Sequence, residues 1–300
     1  MQNRRAGHSI WYTHGRVSLD YTTVGHVTAD AMADGSRRPG GGAFYSALQA
    51  ARLGWRARIV TRGVPAEIEQ LLAPYAAELE VEVARAPHTT TLATSIAGAT
   101  RSQRVLAWAG EMGANVTVDT AILHVTPVAR ETGAHWRGRA DFVGLTPQGL
   151  VRTWSQLGAP IVAHPLDRAL LPARCDAIVI SSDERESCAA LLHEAGGHAG
   201  GAAQSARPLL AVTNAAGPTE LYLADGLRAS VPVAAVAQAR DDIGAGDVFA
   251  AAFFVALAEG SPPVAAAAFA NAAAAVRVAG GGPAAIGDRA AVQARADAVA

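Results

Sequence analysis

Apolar and polar positions along this chain switch between a two-residue and a helical period, and the switches mark out its elements. Residues 21–27 are rich in β-branched side chains and predict a first strand that ends near Asp30. Arg37-Arg38-Pro39-Gly40-Gly41-Gly42 reads as a glycine turn feeding a helix over 43–53, closed by Gly54. Residues 58–61 form the next predicted strand, and Pro65 opens a second helix where a missing N–H costs nothing. From 79 to 108 the helical period disappears. Short extended runs at 79–84, 89–96 and 104–107 predict a small β excursion, a lid or rim beside the main sheet.

Regular strand and helix patterns then resume. Strands are predicted at 121–126, 142–145, 161–163, 177–180 and 209–213, with helices from about Leu150 and over 184–195. Residues 1–18 read as an irregular leader, 196–203 as a glycine/alanine loop, and the last 60 residues as largely helical. Alternating strands and helices imply an α/β fold: a mostly parallel sheet, helices on both faces and a small β lid around 79–108, all within one domain over 19–300.

Composition narrows the chemistry. All 25 basic residues are arginine, and the 300-residue sequence contains no lysine. That excludes a Walker A loop, the strand lysine of protein kinases, Ser-x-x-Lys acylases and lysine Schiff bases. Phosphate or carbonyl chemistry must then rely on backbone amides, arginine, carboxylates or a metal. A net charge of −1 without a basic block argues against nucleic acid as a partner. Cys175 and Cys188 lack metal-site spacing and are too few for a disulfide framework, which fits a reducing cytoplasm. The alanine-rich runs near 250–258 and 264–276 are broken by charge, Gly or Pro, so no membrane span is expected.

The most informative stretch is Asp241-Asp242-Ile243-Gly244-Ala245-Gly246-Asp247, which runs straight into an apolar helix. Amides of Gly244, Ala245, Gly246 and Asp247 at a helix N-terminus make an anion site that needs no lysine. Asp247 beside that anion suits a base that takes a proton from a hydroxyl attacking phosphorus. A plain loop with an N-cap is the competing reading of this stretch alone. A dinucleotide fingerprint fits poorly, because Phe249 occupies its third glycine position and the motif falls late in the chain.

Asp241-x-x-Gly-Ala-Gly-Asp247 resembles the C-terminal signature of the ribokinase-like (PfkB) carbohydrate kinases. Gly40-Gly41-Gly42-Ala43-Phe44-Tyr45-Ser46-Ala47 resembles their N-terminal signature, about 200 residues earlier, as the family expects. Thr89-Thr90-Thr91 with Arg101 and Gln103, His124 to Pro127, and Gly144 to Gly149 with Arg152 are similar to a subgroup that includes inositol kinases.

The resemblance implies a ribokinase-like fold and an ATP-dependent kinase acting on a hydroxyl of a sugar, a cyclitol such as myo-inositol, or a nucleoside. Asp247 is then the base and 244–246 the anion hole. Asp30, Gly40, Gly41, Tyr45, His124 and Thr126 would line the acceptor pocket. His124 reads equally well as a packed residue. Thr213, Asn214, Gly217, Asp241, Asn271 and Gly282 would lie at the nucleotide, with Arg101 or Arg104 reaching phosphate from the lid. Asp183 and Glu186 would organise Mg²⁺ through water, although Asp183 also suits a helix N-cap.

Two departures from the family pattern are Asp242, where a threonine is usual, and Asn214, where the nucleotide loop has glycine. The first weakens the case for a bound monovalent cation; the second leaves base preference open. A sensor that binds nucleotide or sugar without turnover is the alternative. The implied partners are the small substrate and ATP, with a homodimer through the β lid as a further expectation.

Overall fold

The computed structural model describes residues 20–32, 34–97, 100–113, 116–196, 207–223, 226–233 and 235–298. The leader and the glycine/alanine loop beyond Gly196 lie outside them. The strand expected over 21–27 divides in two. β1 (Asp20–Val24) stops at Gly25, where any side chain would overlap the Thr126 carbonyl. The chain then steps into β2 (Thr28–Ala31) of a second sheet. Residues 37–40, expected as a turn, pair antiparallel with β2 as β3 (Arg37–Gly40). Pro39 is tolerated because β3 is an edge strand.

α1 (Gly42–Arg52), β4 (Arg56–Gly63) and α2 (Pro65–Leu72) follow as expected, and Gly54 ends the first helix at φ 92°. β5 (Leu79–Arg85), expected in the excursion, instead runs parallel to β4 as an outer strand of the main sheet. β6 (Thr91–Ala97) and β7 (Thr100–Ala107) complete the small sheet, whose order is β3-β2-β6-β7.

β8 (Thr117–Val125) and β9 (Arg137–Leu145) return to the main sheet. The helix expected from about Leu150 does not form. Pro147–Val151 makes one 3₁₀ turn, and β10 (Arg152–Thr153) pairs with β11 (Val162–Ala163) outside the main sheet. Gly149 presses on the Pro127–Val128 backbone, and prolines at 160 and 165 bar a continuous helix.

β12 (Ala177–Ser181) leads through a 3₁₀ turn to α3 (Ala189–Gly196), which starts later than its sequence pattern suggests. β13 (Leu209–Asn214), β14 (Gly217–Tyr222) and β15 (Arg228–Val231) form an antiparallel meander before α4 (Ala245–Ala258), α5 (Pro263–Ala279) and α6 (Arg289–Asp297). The nine-stranded sheet has the order β15-β14-β13-β12-β9-β8-β1-β4-β5, parallel from β13 to β5.

Burial follows the pleat. Ile122 faces α1, α4 and α5, while its neighbour Leu123 faces the opposite layer with Val143, Ile178 and Leu210. A sheet covered on both sides loses the polar alternation of a half-exposed one. The second layer is only partly helical: α3 shares it with Trp136, Leu166, Leu171 and Cys175 from irregular segments. Gly144 lets the Phe254 ring lie directly on β9, so Gly144→Ala is expected to cost about 1–3 kcal/mol, read as a lowered denaturant midpoint.

Both edges of the small sheet are occupied by the chain itself. Gly158 and Ile161 donate amides to the Val105 and Gln103 carbonyls of β7 at 2.8 Å each. The Arg104 guanidinium donates to the Gly158 carbonyl at 2.7 Å, and Trp108 meets Trp154 edge to face. At the other edge β3 lies beside α2, where Arg37 pairs with Glu67. The β7 edge is thus paired in cis with residues 158–161. No helix among the described residues is long and apolar enough to cross a membrane.

Candidate active site

Two helix N-termini and two strand ends converge where β1 and β8 finish. Gly244, with φ 78°, precedes α4, and its Cα rests on the Tyr45 ring of α1. A β-carbon at 244 would enter that ring, and the left-handed φ favours glycine as well. Ala245 N–H turns back to the Asp242 carbonyl at 3.1 Å. The amides of Gly246 and Asp247 stand in the first turn, where a helix leaves N–H groups unpaired, and open space lies in front of Gly246.

Asp247 reaches across to α1: a β-carbon on Gly42 would sit 2.7 Å from its Oδ1 and would overlap the Thr126 hydroxyl. Ser46 Oγ donates to the Asp247 carbonyl at 3.2 Å and ties the two helices together. Burial raises the Asp247 carboxyl to about 7; the positive charge of Arg152 opposes this and the negative charge of Glu184 adds to it. A carboxylate with that proton affinity is matched to accepting a proton near neutral pH.

Asp241 fixes the loop ahead of α4. Its Oδ1 accepts from Ile243 N–H at 3.0 Å, and its Oδ2 from Arg277 and Gly282 N–H at 3.0 and 3.1 Å. Burial tends to raise its carboxyl, but these hydrogen bonds and the Arg277 charge hold it below the ordinary range. Arg277, fully buried on α5, also donates to the Asp241 and Ile243 carbonyls at 3.1 and 2.7 Å. Asp241 and Gly282, expected at the nucleotide, therefore meet each other and shape the anion loop.

On the small-sheet side, the Asp30 carboxylate lies over Gly40, where a side chain would displace it, and accepts from Thr28 Oγ1 at 2.8 Å. Gly41, with φ 87°, packs on the His26 carbonyl. Asp30 and Gly40 thus meet on the small-sheet side, Thr126 and Asp247 meet at Gly42, and Tyr45 lies beneath Gly244. His124 does not join them. It is fully buried, with Nδ1 2.8 Å from the Tyr21 hydroxyl and Nε2 3.1 Å from Thr146 Oγ1, and its ring edge meets Phe254. Burial lowers its pKa to about 3, so it is a neutral core residue.

The nucleotide-side residues are largely engaged within the protein. Asn271 is buried; its Oδ1 accepts from Thr219 at 2.8 Å and its Nδ2 donates to the Pro232 carbonyl at 3.1 Å. Thr213 Oγ1 donates to the Ile180 carbonyl at 3.3 Å. Asn214 and Gly217 pair at the base of a two-residue hairpin loop in which Ala215 takes φ 42°.

Asp183 and Glu186 are exposed on the turn after β12. Ser181, rather than Asp183, caps that turn, in a reciprocal box with Glu184. Glu184 is drawn inward, and burial raises its carboxyl despite the Ser181 N–H at 2.8 Å. Among the described residues no three His, Cys, Asp or Glu side chains cluster to cage a metal. Two exposed carboxylates suit Mg²⁺ that arrives on phosphate and keeps its waters. Nothing in the sequence around Arg277 marks it as a loop partner, whereas the Ser-x-x-Glu spacing at 181–184 is a readable cap signal for Glu184.

This architecture is an α/β fold with an open helix N-terminus at the ends of its main-sheet strands, and direct comparison identifies the family. The chain belongs to the pfkB family of carbohydrate kinases, whose family model matches residues 12–288. Among solved structures it is similar to a pyrophosphate-dependent myo-inositol-1 kinase converted by mutation into a myo-inositol-3 kinase, with TM-score 0.68 and 19% identity over 93% of this chain and 99% of that one. It is also similar to Arabidopsis thaliana ribokinase complexed with ribose and ATP, with TM-score 0.65 and 17% identity over 93% and 99%. The ribokinase of Thermotoga maritima gives 0.64 and 20% identity over 93% and 99%. No curated protein matches the chain.

Proposed function

We infer that this protein transfers the terminal phosphoryl group of ATP to a hydroxyl of a small polyhydroxy acceptor, a sugar, a cyclitol such as myo-inositol, or a nucleoside. The observation that carries this reading is the placement of Asp247. One carboxylate with a raised proton affinity sits both in the first turn of α4 and against the first residue of α1. Asp30 accepts hydrogen bonds from acceptor hydroxyls. Asp247 takes the proton of the attacking hydroxyl as its oxygen bonds to phosphorus and the bond from phosphorus to the donor's leaving oxygen breaks. The Gly246 and Asp247 amides hold the charge that develops on the phosphoryl oxygens. Asp183 and Glu186 are the residues that would hold the waters of a donor-bound Mg²⁺, which would supply neutralisation of phosphate charge.

A second donor, inorganic pyrophosphate, is favoured by the hydrogen bonding of Asn271 and by the tight 214–217 hairpin, which leave these side chains committed to the fold. Pyrophosphate-dependent kinases stand among the similar structures. The test is a matrix of ATP and pyrophosphate against ribose, fructose, myo-inositol and adenosine, with the phosphorylated product followed by ³¹P NMR. A phosphomonoester from one acceptor class is the expected result. Tight acceptor binding by calorimetry with no product from either donor would replace the kinase by the sensor reading.

A further inference from the structure

Three polar atoms around the 241–244 loop are buried without a hydrogen-bond partner: the Tyr45 hydroxyl, Arg38 Nε and Arg277 Nε. Arg277 is otherwise committed, since its two terminal nitrogens hold Asp241 and the Ile243 carbonyl. Arg38 is not. It lies on β3 directly opposite Asp30 of β2, at the acceptor end of the site, and reaches to 3.8 Å from Asp241 Oδ2. That separation exceeds a hydrogen bond. The same oxygen already accepts from Arg277 and Gly282 at 3.0 and 3.1 Å, so Asp241 has no need of a third donor.

Tyr45 is 1% exposed, its ring lies beneath Gly244, and its hydroxyl sits in the field of Arg38, Arg277, Asp30 and Asp241. A guanidinium and a phenol with unused hydrogen-bonding capacity therefore stand between the Asp30 carboxylate and the α4 N-terminus. In phosphoryl transfer, what passes between those two places is the phosphoryl group.

The geometry points to Arg38, assisted by the Tyr45 hydroxyl, as the clamp on the transferring phosphoryl group. This assignment rests on the kinase reading above. The planar guanidinium can hold two phosphoryl oxygens at once and does not give up its proton. It moves no proton and forms no bond in the step. The acceptor oxygen gains the phosphoryl group, the donor's bridging oxygen leaves with the bonding pair, and Asp247 receives the acceptor's proton. In a chain without lysine, Arg38 supplies from the small sheet the positive charge that the anion loop lacks.

The experiment compares Arg38→Met, Arg38→Lys and Tyr45→Phe by steady-state kinetics on the best donor and acceptor, and by calorimetric titration with inorganic phosphate. Arg38→Met is expected to lower kcat about a hundredfold or more, with the acceptor KM nearly unchanged, and to weaken phosphate binding about tenfold. Arg38→Lys recovers part of kcat, because a point charge replaces the fork. Tyr45→Phe weakens phosphate binding several-fold, whereas an unchanged affinity would remove Tyr45 from the clamp. Wild-type kcat and phosphate affinity in Arg38→Met would overturn the assignment and leave the kinase reading standing. A raised acceptor KM at constant kcat would also overturn it and make Arg38 an acceptor-recognition residue. A wild-type protein that turns over no substrate, yet loses phosphate affinity in Arg38→Met, would sink the kinase reading and keep the anion clamp.

Discussion

Asp247→Asn is expected to lower kcat about 10³–10⁴-fold while leaving acceptor binding close to wild type. The amide keeps the shape of the carboxylate in the contact between α1 and α4 but cannot accept the proton. The wild-type rate should rise with pH through about 7 and level off above it, because the base works only when ionised. The same raised proton affinity has a stability consequence. Between the ordinary carboxylate value of 3.8 and about 7, the folded state holds a proton that the unfolded state has released, so stability falls as pH climbs through that window. Asn does not incur that loss. At pH 8 the variant should be the more stable protein, by at most about 4 kcal/mol at roughly 1.4 kcal/mol per pH unit. Urea melts at pH 5 and pH 8 check this. A variant with wild-type turnover, or one whose stability relative to wild type is the same at both pH values, would refute the assignment of the base.

Arg277→Met should be the most damaging single change outside the reacting groups. Arg277 is fully buried, and it is the cation that joins Asp241, the Ile243 carbonyl and, through Asp241, the amide of Gly282. Methionine fills much of the volume but leaves the Asp241 carboxylate with two amides and the distant Arg38 as its remaining partners. Breaking a buried pair costs about 3–5 kcal/mol; with Asp241 only half-buried the loss stays below that range, seen as a drop in the urea midpoint. The loop that presents the α4 amides loses its anchor as well, so phosphate affinity should fall beyond what the stability loss explains. Pairing Arg277→Met with Asp241→Asn should return part of the stability, because the uncompensated charge is gone. A double variant no better than the single one would mean that Arg277 acts through packing rather than charge.

The two ends of the site were legible because each is a local pattern. Gly40 to Ala47 and Asp241 to Asp247 are contiguous runs whose glycines meet steric demands: Gly42 admits Asp247, and Gly244 admits Tyr45. What lies between them was harder to read, because it depends on distant partners. β3 hid behind a proline and three glycines, which read as a turn until an edge position makes the proline permissible. Arg277 is a lone charge in an alanine-rich helix, and nothing nearby announces that it meets a loop 36 residues earlier. Around 183–186 the chemistry was assigned to the two carboxylates that face solvent, while Glu184 between them turns inward toward Asp247. A Ser-x-x-Glu cap fixes which carboxylate is drawn in, and that depends on where β12 ends.

The self-paired edge of the small sheet has a mechanical consequence. β7 is stitched to residues 158–161, and the strand that follows, β11, is zipped to β10, whose first residue is Arg152. Arg152 is the cation that restrains the proton affinity of Asp247. The sheet that carries Asp30 and Arg38 and the charge that tunes the base are therefore links of one chain of backbone hydrogen bonds.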